Sequence, residues 1–257
     1  MDKATLIGIG GGLGIIVVAN VIEGGNPASL LILPAMLLVF GGTIGAAVAG
    51  GTMADVKAAI SALIRAFTWK PQPAGDLVPV VVGLADKARR EGLLTLEDAV
   101  SKVDDEFLKK GISLVVDGTD PEELREILEG EVDAKRAEDK HSAKFFNDMG
   151  GYAPTIGIIG TVMGLVHVLE NLSEPDKLGH LIAGAFVATL WGVMTANIMW
   201  LPIGNRLNRL SELEAARMEL VIEGVLSVQA GANPRVVAQR LESLLPAGAR
   251  EPSSKAA

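Results

Sequence analysis

The stretch MGGYAPTIGIIGTVMGLVHVL, residues 149–169, contains no Asp, Glu, Lys or Arg. An α-helix rises about 1.5 Å per residue, so roughly 20 apolar residues cross a hydrocarbon core about 30 Å thick. Residues 4–22, 24–54 and 178–205 are likewise uncharged and long enough to span the core. The sequence therefore predicts an all-α integral membrane protein with four transmembrane helices and a helical cytoplasmic domain.

Composition supports this class and excludes several others. Of the 257 residues, 49% are hydrophobic, and the mean hydropathy of +0.37 is high for a soluble domain. A net charge of −8 argues against nucleic acid as a partner, because phosphate binding requires a concentrated basic face. The chain has no cysteine, which excludes disulfides and thiolate metal sites. A cleaved signal peptide is disfavoured, since one Lys precedes the first apolar stretch and a second stretch follows closely.

Basic residues predict how the chain is threaded through the membrane. If both termini are cytoplasmic, 22 of the 23 Lys and Arg residues lie on the cytoplasmic side, and only Lys177 does not. The predicted organisation is therefore transmembrane helices 1 and 2 in residues 1–54, a cytoplasmic helical domain in 55–148, transmembrane helices 3 and 4 in 149–205, and a C-terminal cytoplasmic segment with a tail in 206–257.

Apolar periodicity predicts the helices of the cytoplasmic part. A capping glycine, Gly92, is expected to end the second of them, and Pro121 is expected at the first position of the fourth. Thr95 and Asp98 suggest a loose capping box at the start of the third. The fourth is dense in charge and is expected to be exposed and to lead directly into the third span, whereas the tail after Pro246 is expected to be disordered. The four predicted helices cover residues 55–67, 76–90, 95–116 and 121–147.

Small residues recur every four positions in all four predicted spans. Apolar helices have no hydrophobic reason to associate in lipid, so close backbone approach at such faces is how they pack. The chain therefore contains faces for packing within itself and against neighbouring chains. The small residues are Gly8 and Gly12, then Gly41, Gly45 and Ala49, then Gly160 and Gly164, and finally Gly184, Ala188, Gly192 and Ala196.

The spans also lack the charged residue that a protein moving protons by itself normally places in the membrane. What remains is polar but neutral: Thr155 and Thr161 in the third span, and Thr189 and Thr195 in the fourth. Pro154 and Pro202 each remove a backbone donor and free a carbonyl that a hydroxyl, water or an ion could meet. If ions pass, a partner must supply the charge.

Four short segments carry a family resemblance. They are PTIGIIGTVMGLVH at residues 154–167, ATLWG at 188–192 with Pro202 following, RREGLLTLE at 89–97, and QAGANPR at 229–235. Together with the two-plus-two order of the spans, they make nearly the whole chain similar to the MotA/PomA subunits of bacterial flagellar stators. Each motif alone is of low specificity.

The resemblance implies an architecture and a function. It implies a multi-pass protein of the bacterial cytoplasmic (inner) membrane, assembled as a ring of five subunits around a dimer of a MotB-like partner. That partner has one span, a membrane aspartate that carries the ion, and a domain that grips peptidoglycan. The assembly couples inward ion flow to torque on the rotor protein FliG. The chain is then not an enzyme and needs no cofactor or metal.

The resemblance also assigns site residues. Pro154 lies beside the partner's aspartate and couples its protonation to movement, Thr155 and Thr189 line the ion path, and Pro202 belongs with them. Each assignment has an alternative without a role in ion passage. Pro154 could simply kink the helix, and the hydroxyls of Thr155 and Thr189 could donate to carbonyls one turn back in their own helices.

Two further assignments concern the rotor and the transported ion. Arg89 and Glu97 match the charged pair that engages FliG, although most exposed charges have no specific role. In the sodium-driven branch a second threonine tends to precede the one matched by Thr189, whereas this chain has Ala188 there. Because dehydrated Na⁺ needs several oxygen ligands, H⁺ is favoured and Na⁺, as in PomA, is the alternative.

Other functional classes stay open at this point. An ExbB/TolQ-like energiser of an envelope system would also use the proton gradient, but it usually has three spans in another order. A structural scaffold would form the ring without ion flux. A nucleotide site is disfavoured, because Leu13 stands where the dinucleotide pattern of the first glycine-rich stretch needs glycine.

Overall fold

A computed structural model of the chain describes residues 4–70, 72–101 and 103–246. These residues form helices joined by turns, with no strand among them, so the all-α class is confirmed. The tail predicted after Pro246 lies outside the described residues. The helices are α1 (Ala4–Ile22), α2 (Leu33–Ala49), α3 (Met53–Thr68), α4 (Leu77–Glu91), α5 (Leu96–Val100), α6 (Glu106–Val116), α7 (Pro121–Glu170), α8 (Pro175–Thr195), α9 (Leu201–Gln229) and α10 (Pro234–Leu244), with a π-helical turn at Ala196–Trp200 between α8 and α9.

Within the described residues, three helical segments are long and apolar enough to cross a membrane. They are α1, α7 and the continuous helix Pro175–Gln229, which contains α8, the π-turn and α9. The second predicted span corresponds to α2, which is apolar but has 17 residues. The chain is thus a helical membrane protein, while the count of four spans stays a prediction.

The described residues divide into two compact units. Unit 1 contains residues 4–70 and 139–210, and unit 2 contains residues 72–101, 103–138 and 211–246. The two units are compact because of the contacts within each of them, and they do not mark where a membrane lies. The membrane and cytoplasmic segments given above therefore stay predictions. Both α7 and α9 contribute to each unit.

Aromatic rings and small side chains fill the interior of unit 1. The Phe40 ring lies with its centroid 5.8 Å from Trp191 and 6.3 Å from Trp200. The Trp191 indole donates a 2.7 Å hydrogen bond to the Leu30 carbonyl at the turn before α2. Because a buried indole N–H needs an acceptor, this bond fixes the turn against α8.

Within unit 1, helix α3 packs against the other helices through its alanines. Its N-terminus is a capping box, in which the Thr52 backbone N–H donates to the Asp55 carboxylate at 2.7 Å. The pKa of Asp55 is lowered, chiefly by this backbone hydrogen bond and then by the Thr52 hydroxyl. Further along, the Arg65 guanidinium grips the buried Asp139 carboxylate of α7 with two bonds of 2.8 and 3.0 Å. The buried residues of α3 are Ala59, Ala62 and Ala66.

Unit 2 corrects one sequence prediction. The helix expected from Thr95 to Val116 is two helices, α5 and α6, and Thr95 makes no side-chain cap. Asp105 begins α6 instead, because its carboxylate accepts the Leu108 N–H at 2.8 Å. The same carboxylate binds the Arg217 guanidinium of α9 at 2.7 Å, and this tertiary contact favours the break before α6.

The charged first half of α7 is more buried than predicted. One face supplies three fully or nearly fully buried side chains to the core of unit 2, while the opposite charges pair with α9. Arg125 binds Glu223 at 3.0 Å, and this contact is the main reason that the pKa of Arg125 is raised. Helix α7 does begin at Pro121 and continue into the third apolar stretch, as predicted. The buried side chains are Leu124, Leu128 and Val132.

Candidate functional site

The third and fourth apolar stretches meet along a line of glycines and alanines, which we call the seam. A Cβ atom added at Gly157 would lie 2.9 Å from the Ala188 carbonyl oxygen, and one at Gly192 would lie 2.6 Å from the Ala153 carbonyl oxygen. At Gly160 the added atom would meet the Ala188 methyl at 2.6 Å. Such distances leave no room for any larger side chain, so α7 and α8 pack backbone against backbone.

Hydroxyl groups cross the seam. The hydroxyls of Thr161 and Thr189 contact each other, and Thr161 also donates to the Ala185 carbonyl at 3.0 Å. The Thr189 hydroxyl additionally lies 3.3 Å from the Gly157 carbonyl of α7. Polar groups shared between helices in this way can hold them together in an apolar medium. Thr189 is therefore half-buried inside the helix pair.

Pro154 and Thr155 occupy α7 next to the seam. Pro154 is half-buried and lies inside the helix, where its missing N–H removes one bond of the helical ladder. Thr155 is exposed, and its hydroxyl donates to the Tyr152 carbonyl at 2.8 Å, one turn back. The structure therefore puts Pro154 next to Ala153, a residue of the seam, and pairs the Thr155 hydroxyl with a carbonyl of its own helix.

Pro202 lies elsewhere in unit 1. It follows the π-turn, and it lines a groove against α1 together with Gly8 and Arg206. Of the four residues predicted for ion passage, Thr189 lies in the seam. Pro154 and Thr155 lie next to it on α7, and Pro202 faces α1. Their role in ion passage stays a prediction.

The residues predicted to touch the rotor flank one turn of unit 2. Arg89 is in the last turn of α4 and Glu97 is in the first turn of α5, and both are exposed. Gly92 has φ +91°, a conformation that side chains disfavour, and the Thr95 hydroxyl donates to its carbonyl at 2.8 Å. The turn between the two charges is therefore held in one shape.

Known proteins resemble this chain along almost its full length. Family models described as motility protein A N-terminal and as the MotA/TolQ/ExbB proton channel family match residues 6–92 and 99–220. Motility protein A of Bacillus subtilis is 40% identical over 96% of this chain and 92% of that protein. The chemotaxis protein PomA of Vibrio alginolyticus is 34% identical over 97% of this chain and 98% of that protein.

The chain belongs to the motility protein A family.

Solved structures agree with this membership. The flagellar MotAB stator complex from Bacillus subtilis contains a chain that matches with a TM-score of 0.92 and 38% identity, covering 98% of this chain and 100% of that one. A chain of C. jejuni MotAB matches with a TM-score of 0.93 and 29% identity over the whole of both chains. The resemblance inferred from the four motifs is confirmed.

Two residues of this motility protein A family member were not selected from its sequence as site residues. Thr161 was noted only as neutral and polar, because the sequence gives no sign that it would face Thr189 across the seam. Leu94 was missed because leucine usually indicates core, yet it is 77% exposed while Leu96 beside it is fully buried. Leu94 becomes a candidate contact because it is exposed between Arg89 and Glu97, the two residues predicted to touch the rotor.

Proposed function

We propose that this chain is the stator subunit that surrounds a MotB-like partner and couples inward proton flow to torque on the flagellar rotor. The observation that carries the proposal is the neutral seam, because apolar stretches without an acid need a second polypeptide to carry the proton. The two solved structures described above are MotAB complexes, which supports a MotB-like partner. A dimer of that partner inside a ring of five subunits is part of the proposal. Pro154 then couples protonation of the partner's aspartate to movement of α7.

The deciding experiment is a conductance measurement on the reconstituted complex. The chain with a MotB-like partner is expected to conduct protons, and Pro154→Leu is expected to abolish the current. Thr155→Ala is a matched neighbour that should reduce the current less, since its hydroxyl is satisfied by Tyr152. Equal currents in the wild type and Pro154→Leu would remove Pro154 from the mechanism. A brisk gradient-driven current from the chain alone would overturn the proposal.

The proton assignment rests on Ala188, which supplies no hydroxyl beside Thr189. Collapsing the proton gradient while keeping a sodium gradient is therefore expected to stop rotation. Rotation that persists would instead favour a sodium-driven stator like PomA.

We further propose four spans, with both termini in the cytoplasm of a bacterial inner membrane. The 22 basic residues outside the two short outer connections support this orientation. The chain is free of cysteine, so single cysteines report topology directly. An impermeant thiol reagent added outside is expected to label Asn26→Cys and Ser173→Cys but not Ser101→Cys. Labelling of Ser101→Cys from outside would contradict the orientation, and a count of three spans would favour an ExbB/TolQ-like energiser.

The proposed rotor surface comprises Arg89, Leu94 and Glu97 around the turn at Gly92. Reversing the charges (Arg89→Glu with Glu97→Arg) or introducing Leu94→Asp is expected to lower torque while leaving ring assembly and proton current unchanged, since exposed charges contribute little stability. The control is the double reversal of Glu138→Lys and Lys140→Glu, two exposed charges on α7. Unchanged torque in the first set would exclude FliG binding at this turn, without affecting the ion-flow proposal.

A further inference from the structure

A groove of about 430 Å³ lies in unit 1 between α1 and the junction of α8 with α9. The groove is open along α1, because the glycines there have no side chain that could fill it. Its polar lining consists of one guanidinium, one amide and one hydroxyl. The residues that define it are Thr5, Gly8, Gly12, Asn197, Pro202 and Arg206.

The glycines of α1 determine how wide the groove is. A Cβ atom added at Gly12 would meet the Ile198 side chain at 3.1 Å, so the helices are in contact there. A Cβ atom added at Gly8 would have no neighbour within 4 Å. Gly8, expected from the sequence to pack against a helix, therefore lies beside open space in the chain, and a side chain at that position would enter the groove.

In the topology proposed above, on which this inference rests, the polar end of the groove lies at the membrane boundary. Arg206 is the first charged residue after the uncharged stretch 178–205. Asn197, nine residues earlier, is about 13 Å deeper along the helix. It is exposed within an apolar stretch, and its amide nitrogen donates to the Val193 carbonyl at 2.8 Å. An amide nitrogen has two donors, so one remains to satisfy an acceptor in the groove.

These features match one kind of membrane molecule. An arginine at the water boundary binds phosphate through planar, charge-assisted hydrogen bonds, and basic pockets between transmembrane helices bind anionic lipid headgroups. Ester carbonyls lie deeper than the phosphate and are acceptors for an amide. An acyl chain fills a channel lined by glycine and isoleucine. We propose that this groove binds one anionic phospholipid, with its phosphate on Arg206, an ester carbonyl on Asn197 and an acyl chain along Gly8.

Native mass spectrometry of the full-length chain can test this site. The chain is extracted from vesicles containing equal amounts of phosphatidylglycerol and phosphatidylcholine, and the lipid that remains bound is identified. The wild type is expected to retain phosphatidylglycerol. Arg206→Gln is expected to retain about fivefold less, as loss of one basic contact predicts. Gly8→Leu, which fills the groove, is expected to reduce retention of both lipids.

Matched controls separate the groove from general effects. Gly10→Leu adds the same side chain to α1 at a position that also has no neighbour within 4 Å but does not line the groove. Arg235→Gln removes one exposed positive charge from unit 2. Both variants are expected to retain phosphatidylglycerol like the wild type. If Arg206→Gln does not fold, the difference in phosphatidylglycerol retention between Gly8→Leu and Gly10→Leu still tests the site.

Three results would overturn the proposal. The first is equal retention of phosphatidylglycerol in Gly8→Leu and Gly10→Leu. The second is retention without preference for the anionic lipid in the wild type. The third is efficient disulfide formation between two chains carrying Gly8→Cys in native membranes, which would assign the groove to a second copy of this protein.

Discussion

The seam of unit 1 and the core of unit 2 solve the packing problem in opposite ways. At the seam, Gly157 and Gly192 bring two backbones into contact, and almost no side chain intervenes. In unit 2, large side chains such as Leu96, Leu108 and Ile112 are fully buried. The proposed topology, with the seam in lipid and unit 2 in water, accounts for the difference. Water drives large apolar side chains inward, whereas lipid gives apolar helices no hydrophobic reason to associate.

Polar contacts differ between the regions in the same sense. At the seam the hydroxyls of Thr161 and Thr189 contact each other, and the Thr161 hydroxyl donates to the Ala185 carbonyl. Unit 2 has charge pairs between helices, including Arg217 with Asp105 and Arg136 with Glu219. Charges are costly in lipid, which fits the neutral contacts of the seam. The rest of unit 1 does contain a charge pair, between Arg65 and Asp139.

The largest expected effect comes from making a cavity in unit 2. Leu108→Ala is expected to destabilise the unit by about 3 kcal/mol, because a fully buried leucine loses its transfer energy and leaves a void. All three tryptophans, Trp69, Trp191 and Trp200, belong to unit 1. Denaturation followed by far-UV circular dichroism should therefore shift, while tryptophan fluorescence should not. Leu94→Ala, at an exposed site, serves as control, and an equal shift there would contradict the assigned core.

The second largest loss of stability is expected from widening the seam. Gly157→Ala is expected to cost about 2 kcal/mol, since its methyl would meet the Ala188 carbonyl and the backbones would have to separate. Here tryptophan fluorescence should report the loss. Gly151→Ala, on the same helix with no neighbour within 4 Å, is expected to be neutral in the isolated chain. Equal stability of Gly157→Ala and Gly151→Ala would show that α7 and α8 do not meet at this line.

A smaller effect is expected at the charge pair of unit 2. Asp105→Asn should cost about 1 kcal/mol, because it keeps an oxygen for the Leu108 N–H but loses charge opposite Arg217. The matched control is Glu106→Gln, a neighbouring and highly exposed carboxylate. Thermal unfolding at low and high salt measures both. A penalty for Glu106→Gln as large as that for Asp105→Asn would argue against a specific contact.

The smallest effect concerns pH at the capping box of α3. Hydrogen bonds from Thr52 lower the pKa of Asp55 in the folded chain. The stabilisation is therefore present above the unfolded pKa, near 3.9, and disappears as pH falls through the lower folded pKa. The difference in Tm between the wild type and Asp55→Asn should be constant near neutral pH and vanish in acid. A difference that grows in acid would reverse the sign and refute the cap.

Much of the fold was predictable because local chemistry determines it. Uncharged runs predicted the apolar helices, Gly92 predicted the end of α4, and Pro121 predicted the start of α7. The motifs predicted the family. The break before α6 was not predicted. The Asp105 carboxylate that caps α6 also binds Arg217, which is 112 residues away in sequence and is therefore not visible in the local pattern.

The candidate site was predictable only in part. Pro154 and Thr189 were identified by motif, but nothing local distinguishes Thr155, which bonds its own helix, from Thr189, which bonds the neighbouring one. Pro202 was grouped with them by chemistry, whereas its position after the π-turn puts it against α1. The exposure of Leu94 was not predictable, because leucine is usually buried.

The sequence by itself determined that this is a helical membrane protein of the motility protein A family with neutral spans, because hydropathy, charge and short motifs are properties of the chain in isolation. Only the tertiary structure decided which glycines meet a partner helix and which face a groove. A Cβ atom added at Gly12 would meet Ile198, whereas one added at Gly8 would have no neighbour within 4 Å, although the two glycines stand on the same face of α1. The physical reason is that contact depends on what lies opposite, and residues distant in sequence determine that.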